Sequence, residues 1–514
     1  MTPPEPFQMN SKFAYLLCCL LAVAAKPAGA DDIQLGSLFC DGAVLQQGVP
    51  LPIWGTAEPG EPITVKFKGQ ARSTVADPHG RWQAQLGKLA ASSEPAQLVV
   101  AGCNTTVAVK DVLVGEVWLC SGQSNMLFRV NEGRDAGREI AAGDHPLIRE
   151  FQVQSMIADD PLAQADGRWK KCSPETVGEF TAVGYYFARE LQARLGVPIG
   201  IIKATLGGSP IEGWISATAL ARTSHAAEIA RRWDGMAADY NARTSRYENE
   251  LAEWGRRKEA AKMNHRRFVE PPPAKEYADN DRNRPAGLYN GFIHPLEPCA
   301  LAGFLWYQGE GNVARAGEYA ELFQTLIGQW RADFAQGDRP FLFVQLAGYA
   351  DPKDRTGEAW AWLRSAQDAA LTLKNTYRAV TIDVGDRATI HPLNKQAVGD
   401  RLARLALRQA YGIKIGDHGP VLVSMKAEGS GLRLRFTNAA QLTLSGDPGG
   451  AFVVAGQDRR FFPACAEVIG DEVMVSSAEV QVPVAVRYNW TDFPNGVLRN
   501  ADGLPVAPFR SDSW

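Results

Sequence analysis

At 514 residues, with 54 Lys and Arg against 57 Asp and Glu for a formal net charge of −3, the chain is too long for one hydrophobic core. The charge balance excludes the positive footprint of sequence-independent nucleic-acid binding, and 45% apolar with 22% charged residues excludes wholesale disorder. The 49 Gly, 31 Pro and 13 Trp point to many turns, aromatic-rich β-structure and clefts suited to small polar ligands.

Residues 13–25 (FAYLLCCLLAVAA) form one apolar run after Lys12, followed by Ala28, Gly29 and Ala30 ahead of Asp31. This order of basic, apolar and small residues predicts an export signal over 1–30, cleaved after Ala30, and a secreted or periplasmic mature protein. No later stretch is apolar enough for a membrane span. Six cysteines then remain: Cys40, Cys103, Cys120, Cys172, Cys299 and Cys465. An even number permits disulfides in an oxidising compartment, and without a C-x-x-C pair neither zinc nor dithiol redox chemistry is suggested.

From 31 to about 110, short β-rich runs such as PITVKF and AQLVVAG alternate with turn clusters, which predicts an N-terminal β-sandwich or jelly-roll module. Between 111 and 414, apolar strands alternate with helical stretches, the signature of an α/β parallel sheet covered on both faces. The expected strands are 116–120, 198–206, 300–308, 340–347 and 379–385. Helical stripes are formed by Tyr319, Leu322, Phe323, Leu326, Ile327 and Trp330, and by Val398, Leu402, Leu405 and Ala406. A charge-rich helical insertion is expected at about 217–286, its stripe from Ile229 to Trp254 packing on the main domain. A β pattern returns over 415–514 as a closing C-terminal β-module.

Chemistry gathers at the strand ends. GEVWLCSGQSNM at 115–126 runs an apolar strand into a glycine turn and then Ser124, where ligands of open α/β sheets bind. It lacks the last glycine of the G-x-S-x-G elbow, which disfavours the α/β-hydrolase fold, and by itself it fits a capping serine as well as a nucleophile. The other ends supply Gly207-Gly208-Ser209, then Gln308-Gly309-Glu310-Gly311-Asn312, and His391 ahead of a periodic helix. One sheet edge thus offers a hydroxyl, an imidazole and neutral donors, the parts list of acyl transfer. Metal-ligand, P-loop and dinucleotide fingerprints are missing, so neither metal nor cofactor is expected.

These blocks, with SLFCDGAVLQQ at 37–47, LGGSPIEGWIS at 206–216, LYNGFIHPL at 288–296, FLWYQGEGN at 304–312, IHPLNKQAVGDRLA at 390–403 and GLPVAPFRSDSW at 503–514, resemble the sialate O-acetylesterase family of SGNH (GDSL-like) hydrolases. The resemblance implies a flavodoxin-like SGNH hydrolase domain between the two β-modules. It implies a serine esterase of acetylated carbohydrate, with Ser124 as nucleophile and His391 as base. The oxyanion hole it implies comes from the Ser124 N–H, the Gly208 (or Gly207) N–H and the Gln308 side chain, with Asn312 and Asn125 as second choices. Gln123, Asn125, Glu310 and Arg364 are candidates for substrate contact, Arg364 equally for an ion pair.

The sequence departs from the family at the acid: Ala388 stands three residues before His391, where SGNH enzymes carry Asp. A Ser–His dyad is therefore expected, with Asp386 or a backbone carbonyl as the alternatives for orienting the imidazole; Asp386 and Asp383 serve equally well as loop caps. His294 is read as structural, and Glu212 and Trp214 as supports for the glycine turn. Plant-polysaccharide acetyl esters are the alternative substrates, and a non-catalytic carbohydrate-binding protein is the alternative of another class.

Overall fold

The computed structural model describes residues 33–154, 157–264, 268, 270–273 and 281–514. The expected export signal, and His265 of the insertion, lie outside the described residues. The fold is mixed α/β with β-rich flanks.

Six strands form the parallel centre, in the order His145–Val153, Ile199–Thr205, Thr106–Gly122, Gly303–Tyr307, Phe341–Val344 and Thr376–Ala379. Gly167–Cys172 adds an antiparallel strand beside His145–Val153. Ile199–Thr205, Gly303–Tyr307 and Phe341–Val344 are buried at every position, as a sheet covered on both faces requires. The register shows how the cover is arranged. Trp306 sits opposite Ser121, three residues from Trp118, so the two tryptophans point to opposite faces. Trp118 meets Phe187 of helix Ala182–Leu195, and Trp306 meets Phe323 and Trp330 of helix Ala316–Phe334.

The expected strand at 379–385 is overturned. Pairing stops at Ala379, because Val380 and Ile382 turn into the core of the C-terminal module while Gly385 is pressed against the backbone of Gly348. The chain is thereby released from the sheet twelve residues before His391.

The 17-residue strand Thr106–Gly122 pairs first with Ser92–Ala101 and then with the parallel strands, so it crosses the expected boundary at 110/111. The N-terminal strands and the central sheet share one core. A second core belongs to the C-terminal strands, whose main sheet runs in the order Val421–Glu428, Gly431–Thr437, Glu472–Ser476, Phe461–Ile469, Phe452–Ala455, Ala485–Tyr488, Phe509–Arg510. The insertion is a 38-residue helix, Ala226–Met263. Its expected packing stripe holds only near the start: Ile229 is buried, whereas Leu251 is 37% exposed.

Among the described residues the six cysteines are free thiols, and burial raises the Cys120 thiol well above its usual range. No helix among them is long and apolar enough to cross a membrane.

Candidate active site

Strand Thr106–Gly122 ends at Gly122, with φ of 135°, where a Cβ would lie 2.1 Å from the Tyr307 carbonyl oxygen. Only glycine lets the chain fold this closely over the neighbouring strand end. Ser124 then opens the short helix Ser124–Leu127, with Gln123 as its N-cap. The capping role for Ser124 therefore fails. Its half-buried Oγ instead lies 2.8 Å from His391 Nε2, the contact a base needs to draw a proton from a nucleophile.

His391 arrives on the loop that leaves the sheet at Ala379. Burial holds its imidazole below the ordinary range; Lys395 acts in the same direction and Glu132 against it. The expectation that Asp386 orients this ring is overturned. Its Oδ1 accepts from the N–H groups of Ala388 at 2.8 Å and Thr389 at 3.3 Å, an Asx turn that shapes the loop. Asp383 is held by Arg401 at 2.6 Å and Arg499 at 3.0 Å. Among the described residues, no carboxylate lies within hydrogen-bonding reach of His391 Nδ1.

The glycine turn lies beside Ser124: a Cβ on Gly207 would sit 3.6 Å from that of Ser124, and Gly208 has φ of 70°. Among the described residues, the N–H groups of Ser124, Gly207 and Gly208 make no hydrogen bond, so these donors remain available to a developing oxyanion. Gln308 does not join them. Its amide hydrogens go to the Ser209 carbonyl at 3.1 Å and Asn312 Oδ1 at 2.8 Å, its Oε1 accepts from Tyr319 at 2.9 Å, and the side chain is fully buried. Asn312, also fully buried, donates to Glu212 at 2.9 Å. Both amides brace the glycine turn, through the Ser209 carbonyl and the Ile211 N–H. Glu212 also pairs with Arg232 and Arg315, and Trp214 donates to Ser209 Oγ, so these two do support the turn.

The expected substrate contacts are likewise structural. Gln123 Oε1 accepts from Gly311 N–H at 3.0 Å. Asn125 Nδ2 donates to Glu310 at 2.5 Å and to the Ile390 carbonyl at 3.0 Å, and Glu310 Oε2 is buried without a partner. Arg364, 1% exposed, spreads its guanidinium over the carbonyls of Leu346, Ala347, Thr491 and Asp492, clamping the central domain to the C-terminal module. It forms neither the substrate contact nor the surface pair considered for it. His294 binds the Leu162 carbonyl at 3.0 Å, in keeping with a structural role.

Two residues at the site escaped sequence reasoning. Arg282, at the return of the insertion, is exposed and donates to the Gly207 carbonyl at 2.9 Å; among the described residues no carboxylate pairs with it. Nothing local signals this contact, which spans 75 residues. Lys395 is 1% exposed and donates to Asn125 Oδ1 at 2.5 Å. Its position four residues after His391, at a helix start, was the available signal.

Residues 114–240 and 281–408 match the family described as carbohydrate esterase, sialic acid-specific acetylesterase. The sialate O-acetylesterase of Rattus norvegicus is 29% identical over 543 aligned residues, covering 96% of this chain and 97% of the rat protein. That of Homo sapiens is 28% identical, covering 89% of this chain and 88% of the human protein. The crystal structure of a carbohydrate acetylesterase from Xanthomonas citri is 38% identical, covers 94% of this chain and all of its own, and superposes with a TM-score of 0.78. The chain belongs to the sialic acid-specific acetylesterase family of carbohydrate esterases and is a carboxylic ester hydrolase.

Proposed function

We propose that the protein is an exported SGNH-type, flavodoxin-like O-acetylesterase that removes acetyl groups from hydroxyls of sialic acid-class sugars through a Ser124 acyl-enzyme. The 2.8 Å contact between Ser124 Oγ and His391 Nε2 carries this reading. His391 takes the hydroxyl proton as Ser124 Oγ bonds to the acetyl carbon. The carbonyl oxygen becomes an oxyanion facing the N–H groups of Ser124 and Gly208. Collapse breaks the bond to the sugar oxygen, which leaves with the proton from His391. Water then attacks the acetyl carbon, giving a proton to the same nitrogen; collapse breaks the bond to Ser124 Oγ, which takes that proton back from His391, and the acetic acid released ionises in solvent to acetate.

Export rests on the 1–30 segment: the secreted protein is expected to begin at Asp31, checked by N-terminal sequencing, and a mature chain retaining residues 1–30 contradicts it.

Arg282 favours an acidic sugar, since an exposed guanidinium beside the nucleophile turn suits a substrate carboxylate. Acetate release from acetylated mucin is accordingly expected to exceed that from acetylated xyloglucan. Arg282→Ala is expected to raise KM for acetylated sialic acid about tenfold while changing KM for p-nitrophenyl acetate little. Equal effects on both esters, or a preference for xyloglucan, would contradict the acidic substrate.

A further inference from the structure

Asn125, next to the nucleophile, has every polar atom of its side chain engaged. Its Nδ2 donates to Glu310 Oε1 at 2.5 Å and to the carbonyl of Ile390, the neighbour of His391, at 3.0 Å. Its Oδ1 accepts from Lys395 Nζ at 2.5 Å. The amide can face only one way, because lysine has nothing to accept with and a carboxylate or carbonyl nothing to donate. One side chain thereby ties the Ser124 turn to the His391 loop, and Lys395 fixes its orientation.

Burying an ammonium is costly unless its charge is answered. Lys395 lies 4.5 Å from the ring centre of Phe128 and 5.8 Å from that of Tyr307, so two aromatic faces and one amide oxygen replace its water. The Glu310 carboxylate sits on the far side of Asn125, bonded to the other end of its amide. Burial pushes Lys395 down to about 7, opposed by Glu310 and Glu132, and raises the Glu310 carboxyl. A methionine would fill the same space without this cost, so packing alone does not account for the lysine.

We infer that Lys395 is a positioning residue of the esterase site, its ammonium holding the Ser124 and His391 segments in register through Asn125. The inference rests on the Ser124–His391 reading. The charged groups acting on His391 are Lys395, at the start of the following helix, and, in the opposite direction, Glu132, on the segment Val130–Glu132; among the described residues no carboxylate hydrogen-bonds to Nδ1.

The test uses the full chain with p-nitrophenyl acetate, comparing Lys395→Met, which removes donor and charge, with Lys395→Gln, which keeps a donor. Lys395→Met is expected to lower kcat about 30- to 100-fold with KM nearly unchanged, and Lys395→Gln to recover much of that loss. In both, losing the positive charge raises the imidazole pKa, so the acid limb of kcat/KM moves to higher pH. A drop in kcat with an unmoved limb in both variants reduces Lys395 to a packing residue, and unchanged kcat removes the inference. If Lys395→Met does not fold, Lys395→Gln still reports the limb. Ser124→Ala measured alongside separates the two readings: its inactivity with an indifferent Lys395 overturns only the inference, whereas its full activity overturns the esterase mechanism itself.

Discussion

Ser124→Ala is expected to lower kcat for p-nitrophenyl acetate by about ten thousand- to a million-fold, with the circular dichroism spectrum unchanged. The magnitude follows from removing the atom that bonds to the acetyl carbon, since the free N–H donors and substrate binding still act on attack by water. The fold is spared because, among the described residues, Ser124 Oγ has one hydrogen bond, to His391, and caps no helix. A fluorophosphonate probe should label the native protein and not the variant. Turnover by the variant near the native rate would end the acyl-enzyme mechanism, and tight glycan binding without labelling of the native protein would favour a binding module instead.

His391→Ala is expected to be nearly as severe, about a thousandfold or more, whereas Asp386→Asn should cost less than about tenfold. The contrast follows from geometry: Asp386 spends its carboxylate on two loop N–H groups, and an asparagine oxygen can accept from the same groups. Loss of activity in Asp386→Asn matching that of His391→Ala would show that the carboxylate reaches the imidazole during turnover. The pH dependence has a definite sign. The base works when neutral, and burial holds its pKa below the usual value near 6.5, so the acid limb of kcat/KM should lie below about 6.5. An acid limb above pH 7 would contradict this environment for His391.

With no carboxylate among the described residues on Nδ1, orientation of the ring falls to the loop that carries it. Among the contacts that hold that loop are the Asx turn at Asp386, the close approach of Gly385 to Gly348, and the Asn125 amide on the Ile390 carbonyl. The dyad therefore depends on backbone placement to an extent that a triad does not.

Much of this was legible in the chain itself. The apolar runs at 116–120, 198–206, 300–308 and 340–347 all contribute to strands of one sheet, because a run buried on both faces has few other places to go. The run at 379–385 reads the same way and fails, since Val380 and Ile382 serve a different core, supplied by residues from Leu422 onward. Periodicity reports that a side chain is buried and cannot say against what.

The catalytic candidates divide along the same line. Ser124 and His391 were identifiable as candidates from short blocks, because a serine at a strand end and a histidine before a helix are local arrangements; their 2.8 Å contact was decided by the tertiary structure, since His391 arrives on a loop and not on the expected strand. The duties of Gln308, Asn312, Glu310 and Arg364 were decided by the tertiary structure alone. A side-chain amide or guanidinium has a fixed number of hydrogens, and each can be given once. Gln308 gives both of its own to Ser209 and Asn312, and Arg364 extends its hydrogens to four carbonyls on two segments. Which donors remain for a substrate oxygen thus depends on acceptors brought in from far along the chain.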